Sequence, residues 1–248
     1  TPGFSGADIA NVCNEAALTA ARKNKSSIDM SDFLDAVDRI VGGIERKKTI
    51  MTKSEKELIA YHEAGHTLVG WLLPDASPVL KVTVIPRGQA LGLTWNLPDE
   101  RVIQSRDQLM AELCVLMGGR VAEEIHSGVP CSGALNDLER LTRLAYAMVS
   151  YYGMNERIGN ISFYDSTGER GFDLTKPYSE NTATAIDEEV KKLVDEVHER
   201  TLKLIKEHAD GFEQLARELI DKEVVLAEDI ERILGPKAGK HGEERFEE

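Results

Sequence analysis

Apolar residues recur every three or four positions along most of this chain, the spacing that gives a helix one buried face. It predicts a helix from about Gly6 to Lys23, with Ile9, Val12, Cys13, Ala16, Ala17 and Ala20 on one side. A second helix is predicted from Met30 to Val41, with Asp29 and Asp32 flanking its start. Thr52 and Glu55 form a capping-box pair, and the segment after them runs without proline to Pro74. Leu58, Ile59, Leu68, Val69, Leu72 and Leu73 make that third helix largely buried. Further helices are expected from about Ser105 to His126, and from Asn136 through the stripe Leu138, Leu141, Leu144, Ala145, Met148 and Val149. From about Glu180 to Lys206, Ile186, Val190, Leu193, Val197, Thr201 and Leu204 mark core or a subunit interface rather than a cofactor site. Two shorter helices, about Phe212 to Asp221 and Leu226 to Leu234, complete the series.

One stretch breaks this rhythm. Val79 to Ile85 is rich in β-branched residues, and Ala90 to Trp95 follows the turn Pro86-Arg87-Gly88, which predicts two short strands. The expected fold is therefore mainly α with a small β-hairpin. Gly42-Gly43, before the basic run Arg46-Lys47-Lys48, is the natural linker between residues 1–43 and 44–236, although an ordinary helix cap explains the pair equally well. Residues 237–248 are polar and charged and are expected to be disordered.

Composition narrows the class. A net charge of −13 over 248 residues speaks against nucleic acid as a partner. Three cysteines (Cys13, Cys114, Cys131) without framework spacing argue against a disulfide-built secreted domain. No apolar run approaches the roughly 20 residues that span a bilayer, and no signal peptide is evident. The chain starts at Thr1 rather than Met, so a fragment of a longer protein is expected.

The chemistry is concentrated at His62-Glu63-Ala64-Gly65-His66. On a helix the two histidines fall on one face, one turn apart, where they can hold one zinc ion. Glu63 is then placed to take a proton from a water on the metal. Burying two imidazoles and a carboxylate in an apolar helix is costly without a shared partner. Gly65 weakens the helix by about 1 kcal/mol relative to Ala, which suggests close approach of another backbone. Val69 and Leu72 stand where a metzincin carries Gly and His, so that class is excluded.

A third ligand has four candidates: Glu123, Glu124, His126 and Asp137. Asp137 sits one turn before Leu141, on the buried side of its helix, and leads on spacing; a helix-start carboxylate is its bland alternative. Glu123 and Glu124 suit a solvated or supporting pair, with Arg120 placed to pair with Glu124 at i,i+4. His126 can simply face its helix C-terminus. His198, His208 and His241 are expected at the surface.

His62-Glu63-Ala64-Gly65-His66, Leu116-Met117-Gly118-Gly119-Arg120-Val121-Ala122-Glu123-Glu124 and Ser132-Gly133-Ala134-Leu135-Asn136-Asp137-Leu138, in this order, resemble the FtsH family of membrane-anchored, ATP-dependent zinc proteases and their mitochondrial relatives. The resemblance runs from residue 1 to about Pro236. Ile85-Pro86-Arg87-Gly88, Tyr152-Gly153-Met154 and Lys176-Pro177-Tyr178-Ser179-Glu180 also match. It implies zinc held by His62, His66 and Asp137, with Glu63 as catalytic base in the attack of activated water on peptide bonds. It further implies polypeptide substrates, a homohexamer, and a place beside a bacterial inner or mitochondrial inner membrane. The family usually has Thr or Ser where this chain has Cys131, which is expected to be a small buried hydrophobe.

Pro2-Gly3-Phe4-Ser5-Gly6-Ala7-Asp8 resembles the start of the helical lid of AAA+ ATPases, which implies that Gly6 and Ala7 lie against ATP. Helix capping explains that start equally well. No phosphate-cradling Gly-x4-Gly-Lys-Ser/Thr loop occurs, so the chain by itself is not expected to hydrolyse ATP. In the family the glycine linker passes ATP-driven movement to the protease ring. A strand edge beside the zinc would let an extended substrate pair through its main chain, though a pair that only caps the fold is equally compatible. A zinc hydrolase for other acyl bonds and a non-catalytic assembly module are the rival readings.

Overall fold

A computed structural model of the chain describes residues 4–43, 51–86, 91–96, 103–163 and 177–239. Helices dominate, as the periodicity predicts. The first pair, α1 (Gly6–Arg22) and α2 (Met30–Gly42), packs around Val12, Ala16 and Ala36, with Phe4, Phe33, Val37 and Ile40 at the edge. Ser5 with Asp8 and Asp29 with Asp32 form reciprocal capping boxes that start the two helices. The predicted face of α1 is too wide: Ile9, Cys13 and Ala17 are exposed, because one small partner helix covers only a narrow stripe. Gly43, at φ 85°, ends α2 in a conformation that favours glycine. The basic run after it lies outside the described residues.

α3 (Lys53–Leu72) begins at the expected Thr52–Glu55 capping box and runs through the middle of the main core. It packs against α4 (Arg106–Ser127) on one side and α7 (Ala209–Lys222) on another. α5 (Leu135–Ser150) and α6 (Glu180–Glu207) close over α4, and α8 (Ala227–Leu234) follows α7. The crossing of α3 and α4 is made by glycine. A Cβ on Gly65 would lie 2.3 Å from the Gly118 carbonyl oxygen, and one on Gly118 would lie 2.8 Å from that of Gly65. The close approach expected from Gly65 is therefore real.

The sheet has three antiparallel strands in the order β2-β1-β3: β1 is Val79–Thr83, β2 is Leu93–Asn96 and β3 is Val224–Leu226. The sequence pattern predicts the first two. β3 is an addition, three residues between α7 and α8, too short to carry a period of its own. Ala90 and most of the predicted turn lie outside the described residues.

No helix among the described residues is long and apolar enough to cross a membrane. The tail reading falls mostly outside the described residues. At its start, Lys237 donates to the Gly70 and Leu73 carbonyls at 3.1 and 3.2 Å, beside the Trp71 indole bond to Gly235. These bonds occupy carbonyls that the end of a helix leaves free.

Candidate metal centre

α3 and α5 bring His62, His66 and Asp137 together, so that one ligand atom from each lies within 4.8 Å of the others. His62 Nε2 and His66 Nε2 are 3.0 Å apart, and Asp137 Oδ2 stands 3.3 and 3.4 Å from them. Two ligands bonded at about 2.0–2.1 Å to a tetrahedral ion stand about 3.3 Å apart. The trio has the spacing of three corners of a zinc tetrahedron.

The far side of each imidazole fixes which nitrogen faces inward. His66 Nδ1 lies 2.6 Å from the Val115 carbonyl, which can only accept, so Nδ1 carries a proton and Nε2 is the nitrogen turned inward. His62 Nδ1 lies 2.8 Å from Glu123 Oε1 in the same way. Gly119 leaves room for both rings: a Cβ there would meet His62 Nε2 and His66 Nε2, each at 2.6 Å. Two adjacent glycines inside a helix, each costing about 1 kcal/mol relative to Ala, are the sequence signal for this floor.

The field at this point favours positive charge. Burial opposes a charged His62, but Asp137 and Glu123 outweigh it and, with Glu63, push its pKa up to about 10. Burial likewise works to raise Asp137, yet the two imidazoles hold it well below the usual carboxylate range. A dication would meet the same field.

Glu63, next to the first histidine, is buried with only 6% of its surface exposed. Thr94 of β2 donates to its Oε2 at 2.7 Å, and Gly92 passes so near that a Cβ there would fall 2.5 Å from Oε1. Neither Thr94 nor Gly92 is marked by any sequence motif.

The remaining candidates lie elsewhere. Glu123 is 2% exposed and supports His62 while accepting from the Cys131 amide at 3.2 Å. It is a supporting carboxylate, but not a solvated one. Glu124 pairs with His198 at 2.8 Å, and Arg120 turns instead to Glu123 and the Cys131 carbonyl, correcting the expected Arg120–Glu124 pair. The buried Glu123 leaves the guanidinium a partner one residue nearer. His126 stacks on Tyr61 with ring centres 3.6 Å apart. Cys131 is half-buried rather than buried, because it lies in the short connection after α4 with Arg120 and Glu123 on its backbone. Gly6 and Ala7 are exposed in the first turn of α1. His208 is exposed, His198 half-buried, and His241 lies outside the described residues.

Comparison with known proteins agrees with this geometry. Residues 49–233 match the model of peptidase family M41, and residues 1–35 match an AAA+ lid domain. The chain belongs to peptidase family M41. It is 53% identical over 238 residues to the ATP-dependent zinc metalloprotease FtsH of Parabacteroides distasonis, a match that covers 96% of this chain and 35% of that protein. The FtsH of Rhodothermus marinus is 52% identical over 240 residues, covering 96% and 34%. A rice relative, named ATP-dependent zinc metalloprotease FTSH 8, mitochondrial, is 46% identical over 244 residues, covering 98% and 29%. This M41 chain thus spans about a third of the length of the curated relatives it matches.

Proposed function

We propose that this chain is the zinc metalloendopeptidase part of an ATP-dependent protease, preceded by the end of an AAA+ lid. The lid would span 1–43 and the peptidase domain 44–236, a division supported by the family matches to 1–35 and 49–233. The observation that carries the reading is the convergence of His62, His66 and Asp137 at tetrahedral spacing, with both histidine Nδ1 atoms engaged elsewhere.

In this reading His62, His66 and Asp137 hold zinc, which when bound acidifies a water towards a pKa of about 7 and polarises a peptide carbonyl. Glu63 accepts a proton through its carboxylate and returns it to the amine of the leaving peptide. Thr94 holds that carboxylate by one oxygen and leaves the other for the proton. Gly92 and the hairpin cover Glu63 and limit water around it. Glu123 and the Val115 carbonyl orient the two rings. β2 lies at the edge of the sheet, so an extended substrate can add to it through main-chain hydrogen bonds, which suits unfolded or misfolded polypeptides.

The names of the relatives support ATP dependence and zinc for the longer protein. Homohexamer assembly and membrane anchoring, on the cytoplasmic side of a bacterial membrane or at the mitochondrial inner membrane, extend that reading. Gly6 and Ala7 would then face ATP bound mainly by segments outside this chain.

Glu63→Gln is expected to keep its zinc, measured by metal analysis, while casein cleavage falls by about 10²–10⁴-fold. Asp137→Asn is expected to lose zinc. Full cleavage by Glu63→Gln, or unaltered zinc affinity in Asp137→Asn, would remove these assignments.

A further inference from the structure

Side chains alternate across a strand, so β1 and β2 meet different neighbours on their two faces. On the inner face Val82, fully buried, stands opposite Thr94, the residue that donates to Glu63. On the outer face Lys81 stands opposite Trp95, and the Lys81 ammonium is bonded to Asp38 of lid helix α2. The two side chains are only 22% and 16% exposed, so this pair is less screened than an ordinary surface bridge. Asp38, Lys81, Thr83, Leu93 and Trp95 line one small recess between the lid and the sheet. The lid thus grips one face of the hairpin, and Glu63 is held by the other, one residue away in register.

We propose that the Asp38–Lys81 ion pair is the contact through which the lid positions the β1–β2 hairpin over Glu63. Asp38 and Lys81 become positioning residues for peptide cleavage, and the proposal rests on the role given to Glu63 above. The hairpin is suited to this. β2 has four residues, lies at the edge of the three-stranded sheet and pairs only with β1 among the described residues, so few main-chain bonds hold it. Its clearance is also small. Movement towards α3 drives the Gly92 backbone into the Glu63 carboxylate, and movement away breaks the Thr94 bond. A turn of α2 that pulls Asp38 is passed to Lys81, and through one peptide unit to the Val82–Thr94 pair.

The test is a charge-swap cycle in the zinc-loaded full chain: Asp38→Lys, Lys81→Asp and the double variant. Each single variant is expected to lower kcat on an unfolded protein substrate by about tenfold, with KM and zinc content little changed. Hydrogen exchange of the β1–β2 amides should rise in both. The double variant should regain most of the lost kcat and the protection. Unchanged kcat in the single variants, additive losses in the double variant, or loss of kcat only in step with zinc would each overturn the proposal. Failure of the Glu63 reading is seen separately, as full cleavage by Glu63→Gln whatever the swap shows.

Discussion

α1 and α2 touch through Val12, Ala16 and Ala36 and leave Met30 71% and Leu34 61% exposed, whereas α3 and α4 meet backbone to backbone at Gly65 and Gly118. Polar contacts strengthen the first pair. Fully buried Asp32 accepts from Lys23 and Lys25 at 3.1 and 2.8 Å and closes the capping box at the start of α2. The second pair has no such freedom, because α4 lies against both α3 imidazoles, with Gly119 beside their rings and Glu123 and the Val115 carbonyl bonded to their Nδ1 atoms. A helix pair that carries none of the candidate metal ligands tolerates a loose apolar seam. The pair that backs the candidate metal centre is built on glycine and on hydrogen-bonded imidazoles.

The sharpest break of this contrast is Gly65→Ala. Helix propensity alone would favour alanine by about 1 kcal/mol, but the new Cβ meets a backbone carbonyl at 2.3 Å. A net loss of about 3 kcal/mol in urea unfolding is expected, and a gain would refute the glycine crossing. Next comes Glu123→Gln, which keeps an acceptor for His62 but removes the charge. Zinc affinity, read by competition with a chromogenic chelator, should fall by about 10–100-fold without unfolding the chain. The smallest effect belongs to the lid. Gly6→Ala has nothing within 4 Å of the new Cβ and should stabilise α1 by no more than about 0.5 kcal/mol. If it damaged the protein as much as Gly65→Ala, the two regions would not differ as described.

Much of this is legible in the sequence. Thr52 and Glu55 announce the start of the zinc helix because capping is local chemistry, and His62 and His66 share a face because helix geometry is fixed. Asp137 leads among the candidates for a third ligand because burial makes an unpaired carboxylate costly. What escaped depends on distant partners. Thr94 looks like any strand threonine until the fold sets it over Glu63. β3 gains its identity only by pairing with β1, Val225 lying opposite Val82. The partner of Arg120 is decided by how deeply Glu123 is buried, which no i,i+4 rule contains.

The bonds of Trp71 and Lys237 tie the end of α3 to residues more than 160 positions downstream, with Trp71 and Gly235 separated by 164. On the ribosome, the helix bearing His62 and His66 therefore emerges long before the segment that secures it. Until then its last turn has free carbonyls and an uncovered indole, so the end of α3 is secured only after more than 160 further residues have been made.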